Sequence, residues 1–241
     1  TVEQRDTLAE VVRKVAEVCT VPFTVGGGIR DIESAGKVLA AGADKVSVSS
    51  AAFRRPEVIR ELIAEFGVDA VTVAIDVDLN PALPSGYEVY IDGGRTATGC
   101  DAVDFARQMD DFGVKVILPT SKNGDGARTG YDLPVIKAMV NACSAKIVAS
   151  GGAGKMEHFI EAAQAGAEVL LAASVFHFNI VSIPELKKEL KECARYKTFF
   201  ENFNGIVCSV APVKREDLNK PLYFSFIFSI VNKALSISNT L

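Results

Sequence analysis

The chain has 241 residues, of which 49% are hydrophobic and 23% charged, and its formal net charge is -4. This is an ordinary globular composition, large enough to bury one sizeable core as a single α/β barrel or as two small domains. Acidic and basic residues are interspersed and no basic stripe occurs, which argues against a nucleic-acid partner.

Taken in chain order, residues 2–18 place Leu8, Val11, Val12, Val15 and Val18 at helical spacing. A short strand is predicted over 22–25, a helix over 32–41 and a strand over 45–49. Pro56 opens a helix that runs to about Phe66. "VTVAID" (71–76) reads as a buried strand, and a polar, hairpin-like segment with Pro and Gly turns follows it. The rhythm resumes with a helix over 101–112, a strand over 115–120, a glycine-rich loop over 121–132 and a helix over 134–142. A strand over 146–150, a helix over 155–165, a strand over 168–174 and a helix over 184–193 complete it. Strands that are apolar throughout, each separated by a helix, predict a parallel sheet covered by helices. The segment from about residue 196 breaks the pattern and carries no clear βα unit.

Five cysteines (Cys19, Cys100, Cys143, Cys193 and Cys208), an odd number with no CxxC pair, suggest reduced thiols in a cytoplasmic protein. The first residues are charged and helical rather than signal-like. The uncharged run Leu222–Val231 falls well short of the roughly 20 residues that a membrane span requires. His158, in a predicted helix, is expected at the surface and His177 at the rim of the fold. Neither has metal-ligand spacing, and no metal is expected.

The chain also repeats itself. Shifted by 124 residues, "TVGGGIRD" (24–31) lies on "VASGGAGK" (148–155), and "AGADKV" (41–46) lies on "AGAEVL" (165–170). Two equivalent βα pairs in register predict a barrel of two similar halves. In such a barrel the strand C-termini share one face, which carries the site. Gly26, Gly27 and Gly28 follow one strand, Ser49 and Ser50 end the next, Gly151 and Gly152 follow a third, and Ser174 ends a fourth. Each precedes a helix, whose first N–H groups and dipole favour an anion. Two such sites on opposite sides of a ring imply a substrate with a phosphate at each end. The alternative is that the glycines only make tight βα turns. Asp76 closes an apolar strand at the barrel mouth, as a general acid/base or as a helix cap or ion-pair partner. Asp125, in "GDG", binds a ribose hydroxyl or stabilises a turn.

The stretches "PFTVGGGIRD", "GADKVS", "VAIDV", "GARTGYD", "ASGGAGKMEHF" and "AASVFHF" resemble the cyclase subunit of imidazole glycerol phosphate synthase, from residue 1 to about 193. The resemblance implies a (βα)8 TIM barrel and a lyase of histidine biosynthesis that uses no cofactor. Its substrate would be a bis-phosphorylated ribulosyl aminoimidazole carboxamide nucleotide with ammonia. The products would be imidazole glycerol phosphate and aminoimidazole carboxamide ribotide. A partner glutaminase docked on the barrel's other face would send ammonia through the barrel core. By position, Asp76 matches a catalytic aspartate. Gly28, Ser49 and Ser50 fall on one phosphate site, where the family commonly has Asn-Thr for the two serines. Asp125, Gly126, Gly152, Ala173 and Ser174 fall on the other, beside Gly151. Lys45 matches a lysine of the ammonia gate, and Asp44 lies at the glutaminase interface. The sister isomerase of the same pathway is the alternative, as is an inactive phosphate-binding fragment.

The departures from the family pattern set further expectations. The family's first two strands and its other catalytic aspartate have no counterpart, so a truncated, incomplete barrel of about six parallel strands is expected over 1–195. Val116 stands where the family usually has an acidic gate residue, and Asn123 and Gly124 alter the loop before Asp125. The tail over 196–241 has no family counterpart. Its segments 205–212 and 223–231 are candidate strands to cover the gap, because six strands cannot close an eight-stranded barrel.

Overall fold

The computed structural model describes residues 2–192, 205–209 and 227–230. A helix α1 (Val2–Ala16) leads into β1 (Phe23–Gly26), α2 (Ile32–Ala40), β2 (Lys45–Val48), α3 (Ser50–Arg54) and α4 (Glu57–Phe66). After a 3-10 turn at Val68–Ala70 come β3 (Val71–Leu79), β4 (Tyr87–Ile91), β5 (Thr96–Asp101) and α5 (Ala102–Asp111). Then follow β6 (Val116–Ser121), α6 (Leu133–Ala142), β7 (Lys146–Ala149), α7 (Met156–Gln164), β8 (Val169–Ala172), α8 (Ser174–His177) and α9 (Ile183–Glu192). Two last strands are β9 (Gly205–Ser209) and β10 (Ile227–Ile230).

Local chemistry sets these bounds. Asp101 caps α5 by accepting from the N–H groups of Val103 and Asp104 at 2.9 and 3.1 Å. Asp31 and Ser34 form a reciprocal capping box at the start of α2. Gly67, at φ 85°, ends α4 where the chain must reverse before β3. The short helix α3 leaves no mark in the periodicity, because five residues show too little of a helical repeat.

The six strands of the βα units, β1, β2, β3, β6, β7 and β8, run parallel. β9 pairs parallel with β8, β10 pairs antiparallel with β9 and β1, and β2 pairs with β3. The ring therefore closes in the order β1-β2-β3-β6-β7-β8-β9-β10, and the hairpin β4–β5 extends from β3 outside it. Two tail segments thus take the two ring positions that the βα units leave open, as the strand count required. β9 is the shorter stretch 205–209 of the expected 205–212, and β10 the stretch 227–230 of 223–231.

Strand alternation sorts the side chains into two layers. Val73, Ile75 and Val77 of β3 join the large core between the sheet and the helices, with Ile59, Leu62, Met109, Met139 and Phe159. On the other face, inside the ring, Leu118, Val148, Val169 and Leu171 form a separate cluster, with Ala74 and Val116 against it. The interior is uneven. Thr24, Ser47 and Thr72, which alternate with the outward Val25, Val46 and Val73, are buried polar positions on β1–β3. The hydroxyls of Thr24 and Thr72 have no hydrogen-bond partner among the described residues.

Candidate functional site at the barrel mouth

The repeat seen in the sequence is a repeat of backbone geometry. Shifted by 124 residues, α2 becomes α7 and β2 becomes β8, end for end. The residue before α2, Asp31, has φ -159° and ψ 173°, and its counterpart Lys155 has φ -153° and ψ 170°. Gly27 and Gly28 stand at φ 97° and 74°, and Gly151 and Gly152 at 81° and 103°. Ser49, before α3, adopts φ -122° and ψ -95°, and Ala173, before α8, adopts φ -117° and ψ -74°. Ser50 and Ser174 are therefore the first residues of short helices rather than the last of strands. Neither helix carries a side-chain cap, so both helix starts keep N–H groups available to a ligand.

The two glycine turns differ in what covers them. A Cβ on Gly28 would meet nothing within 4 Å among the described residues, and Gly27 and Gly28 are exposed. Gly151 and Gly152 are buried, and a Cβ on Gly152 would collide with the carbonyl of Gly130, whose N–H donates to Gly152 O at 2.8 Å. In the first turn glycine leaves open backbone, while in the second it admits the chain's own loop 121–132. The expectation of a free helix start after each glycine turn also needs correction at α2. There the Asp31 carboxylate already takes the N–H of Ser34 at 2.8 Å, and the Ser34 hydroxyl, then this N–H, hold the Asp31 carboxyl below its ordinary value.

Asp76 lies on β3 two positions beyond the inward Ala74, level with Tyr90 of β4 and Thr120 of β6. It faces the mouth from inside the ring. Burial, and then the charge of Asp125, raise its carboxyl to about 6, against smaller lowering effects from the Gly94 N–H and Lys122. Asp125 is exposed near the start of its loop, yet partial desolvation still raises its carboxyl. The Asp125 N–H donates to Ser121 O at 2.9 Å, which fixes the loop's first turn. Asn123 donates to Asp78, so the unusual residue in this loop ties it to the end of β3.

Asp44 and Lys45 sit at the opposite end of the ring, where the strands begin. Asp44 accepts from the N–H of Phe23 at 2.8 Å, and the Lys45 ammonium donates to the carbonyl of Asp69. They are not brought together with Asp76, and they belong to a second face.

The chain matches the histidine biosynthesis protein family over residues 1–182. It is 47% identical to imidazole glycerol phosphate synthase subunit HisF of Nocardia farcinica over 192 residues, 78% of this chain and 75% of that protein. With the subunit HisF of Pyrobaculum aerophilum it shares 47% over 190 residues, 79% of this chain and 74% of the relative. With that of Thermobifida fusca the identity is 46%, covering 78% of this chain and 74% of the relative.

The chain belongs to the histidine biosynthesis protein family.

In this histidine biosynthesis protein, several groups at the mouth leave no signal in the sequence. Tyr87 donates to Asp132 Oδ1 at 2.6 Å, and the Ser121 hydroxyl donates to Asp132 Oδ2 at 3.2 Å, so one carboxylate ties the hairpin to the loop 121–132. The turn Asp92-Gly93-Gly94, at the hairpin tip, lies entirely at positive φ, and the Gly94 N–H lowers the Asp76 carboxyl. Only the Gly-rich composition of this turn could have flagged it. His158, expected at the surface, is buried, and its Nδ1 accepts from the Gly154 N–H at 3.1 Å. It stabilises the second glycine turn, since α7 presents that face to the barrel. His177 is exposed, with its ring edge-on to Phe178 at 4.9 Å. Cys19, Cys100 and Cys143 are free thiols. Among the described residues, no group of three or more His, Cys, Asp or Glu is placed to hold a metal, and no helix is long and apolar enough to cross a membrane.

Proposed function

We propose that this chain is a cyclase subunit of imidazole glycerol phosphate synthase, the name its relatives carry. Its reaction joins ammonia to a bis-phosphorylated ribulosyl aminoimidazole carboxamide nucleotide, with release of imidazole glycerol phosphate and aminoimidazole carboxamide ribotide. The observation that carries this reading is the pair of uncapped helix starts, at α3 and α8, with matching unusual backbones and a raised carboxyl on the arc between them. One phosphate rests on Gly28, Ser49 and Ser50. The other rests near Gly151, Gly152, Ala173 and Ser174, with Asp125 and Gly126 from the loop above. The span between the two selects a substrate that is phosphorylated at both ends.

Asp76 is the general acid/base. A carboxyl raised to about 6 exchanges protons near neutral pH, which an ordinary aspartate does poorly. Ammonia comes from a glutaminase seated on the face that holds Asp44 and Lys45. The buried hydroxyls of Thr24 and Thr72, which have no partner among the described residues, and that of Ser47 offer hydrogen bonds to a small polar molecule passing through the ring. The test is turnover of the bis-phosphorylated substrate with an ammonium salt as nitrogen source. Asp76→Asn is expected to lower kcat by about 10²–10⁴-fold, the usual worth of a positioned proton donor. Full activity in that variant removes the assignment.

A further inference from the structure

The hairpin tip Asp92-Gly93-Gly94 lies entirely at positive φ, at 59°, 66° and 75°. Asp92 is one of three non-glycine residues in that region among the described residues, and an L side chain enters it at a cost. Contacts from α3 hold it there. The Asp92 N–H donates to Ser50 Oγ at 2.9 Å, and Nη2 of Arg54 lies 2.7 Å from both Asp92 carboxylate oxygens. The hydroxyl of Thr96 adds a third tie, donating to Asp92 Oδ2 at 3.1 Å. The tip also rests on Lys122. A Cβ on Gly94 would lie 3.2 Å from Lys122 Cγ, and Lys122 Nζ sits 3.6 Å over the Tyr90 ring and 3.4 Å from Asp78 Oδ2. Tyr90 is the register partner of Asp76. The strand that carries the tip thus pairs with Asp76, and the Gly94 N–H is one of the groups that lower the Asp76 carboxyl.

We propose that Arg54 and Asp92 are positioning residues, whose ion pair pins the 92–94 turn to α3 and keeps the Gly94 N–H on the Asp76 carboxylate. This rests on the reading of Asp76 as the general acid/base. The pair is half-exposed, and such pairs contribute little to stability, so placement is its main effect. It also links two parts of the mouth. Ser50, at one candidate phosphate site, shares the tip with the carboxylate that moves the proton. The other charged groups facing Asp76 are Asp125 and Lys122, both from the loop after β6. Releasing the tip removes a donor to the charged form and leaves burial and Asp125 to push the carboxyl up.

The experiment uses the full chain and two variants that release the tip from opposite sides. Asp92→Gly keeps positive φ accessible and deletes the carboxylate, while Arg54→Ala deletes its partner. The Asp76 carboxyl is titrated by ¹³C NMR and assigned with Asp76→Asn, a readout that needs no turnover. In both variants its midpoint is expected to rise by roughly half a unit to one unit, and Arg54→Lys, which keeps the ion pair, is expected to stay close to the parent midpoint. In the ammonia-dependent assay kcat is expected to fall roughly tenfold with KM within about twofold, and thermal unfolding is expected to move little. An Asp76 midpoint that stays put in both variants overturns the proposal, even where Asp76→Asn still abolishes turnover and the assigned function stands. Full turnover by Asp76→Asn instead overturns the acid/base reading on which it rests.

Discussion

Asp76 is where the chemistry and the stability of this protein pull against each other. Its folded carboxyl is raised to about 6 from an ordinary value of 3.8, so the folded state binds the proton more tightly than the unfolded chain. Below both values the group costs nothing. As pH rises between them the unfolded state releases its proton first, and the fold loses stability until the pH passes the folded value. A shift of about two units corresponds to about 3 kcal/mol at neutral pH. Asp76→Asn is therefore expected to unfold at higher denaturant than the parent at pH 7 and at nearly the same denaturant at pH 4. Equal differences at both values would show that burial does not penalise the carboxylate. The residue type at this position was legible in the sequence, because an aspartate that ends an apolar strand stands out. Its neighbours were not. Gly94 comes from the hairpin and Lys122 and Asp125 from the loop after β6, and no local pattern tells that these segments converge on β3.

Strands β9 and β10 make the other contrast. Their apolar runs mark them only as candidate strands, and the βα rhythm ends before them. The count gives them a place, since six parallel strands leave an open ring and two unpaired edges. The count cannot specify the sense of pairing. β9 runs parallel to β8, whereas β10 runs antiparallel to β9 and β1, so Ser209 and Ile227 both lie at the mouth end of the ring. Removing residues 196–241 strips both strands and bares the edges of β1 and β8. The shortened chain is expected to run as large aggregates in size-exclusion chromatography with light scattering, where the full chain does not. A shortened chain with an unchanged profile and an unchanged Tm would show that these strands do not hold the ring closed. Helix α7 shows the reverse case. Its periodicity is plain, but the burial of His158 depends on the turn at Gly154 that packs beside it.

The two ends of the mouth act together only if one ligand reaches both. A bis-phosphorylated sugar-type ligand binds its second phosphate intramolecularly, at an effective concentration of order millimolar or more. It is expected to raise Tm by more than inorganic phosphate at the same total phosphate concentration, with the excess lost on Gly28→Val, which blocks the open turn. Equal shifts from the two ligands would mean that the sites are independent. The paired geometry behind this expectation comes from one backbone solution used twice, with matching dihedrals at Ser49 and Ala173. The covering loop differs, however, and Gly152 is closed over where Gly28 is open. The halves are related in backbone but not in surroundings.

Most of what local rules govern could be read from the chain alone, the short helices α3 and α8 excepted. Alternating apolar strands and helices, the 124-residue repeat and the glycine turns follow from side-chain periodicity and from backbone angles that only glycine adopts readily. Tertiary structure settled which glycines meet open space and which meet the chain itself, how the tail closes the ring, and which donor reaches Asp76. Each of these depends on groups far apart in the chain being brought to one place. Distance through space is set by the closed sheet, and sequence separation carries no record of it.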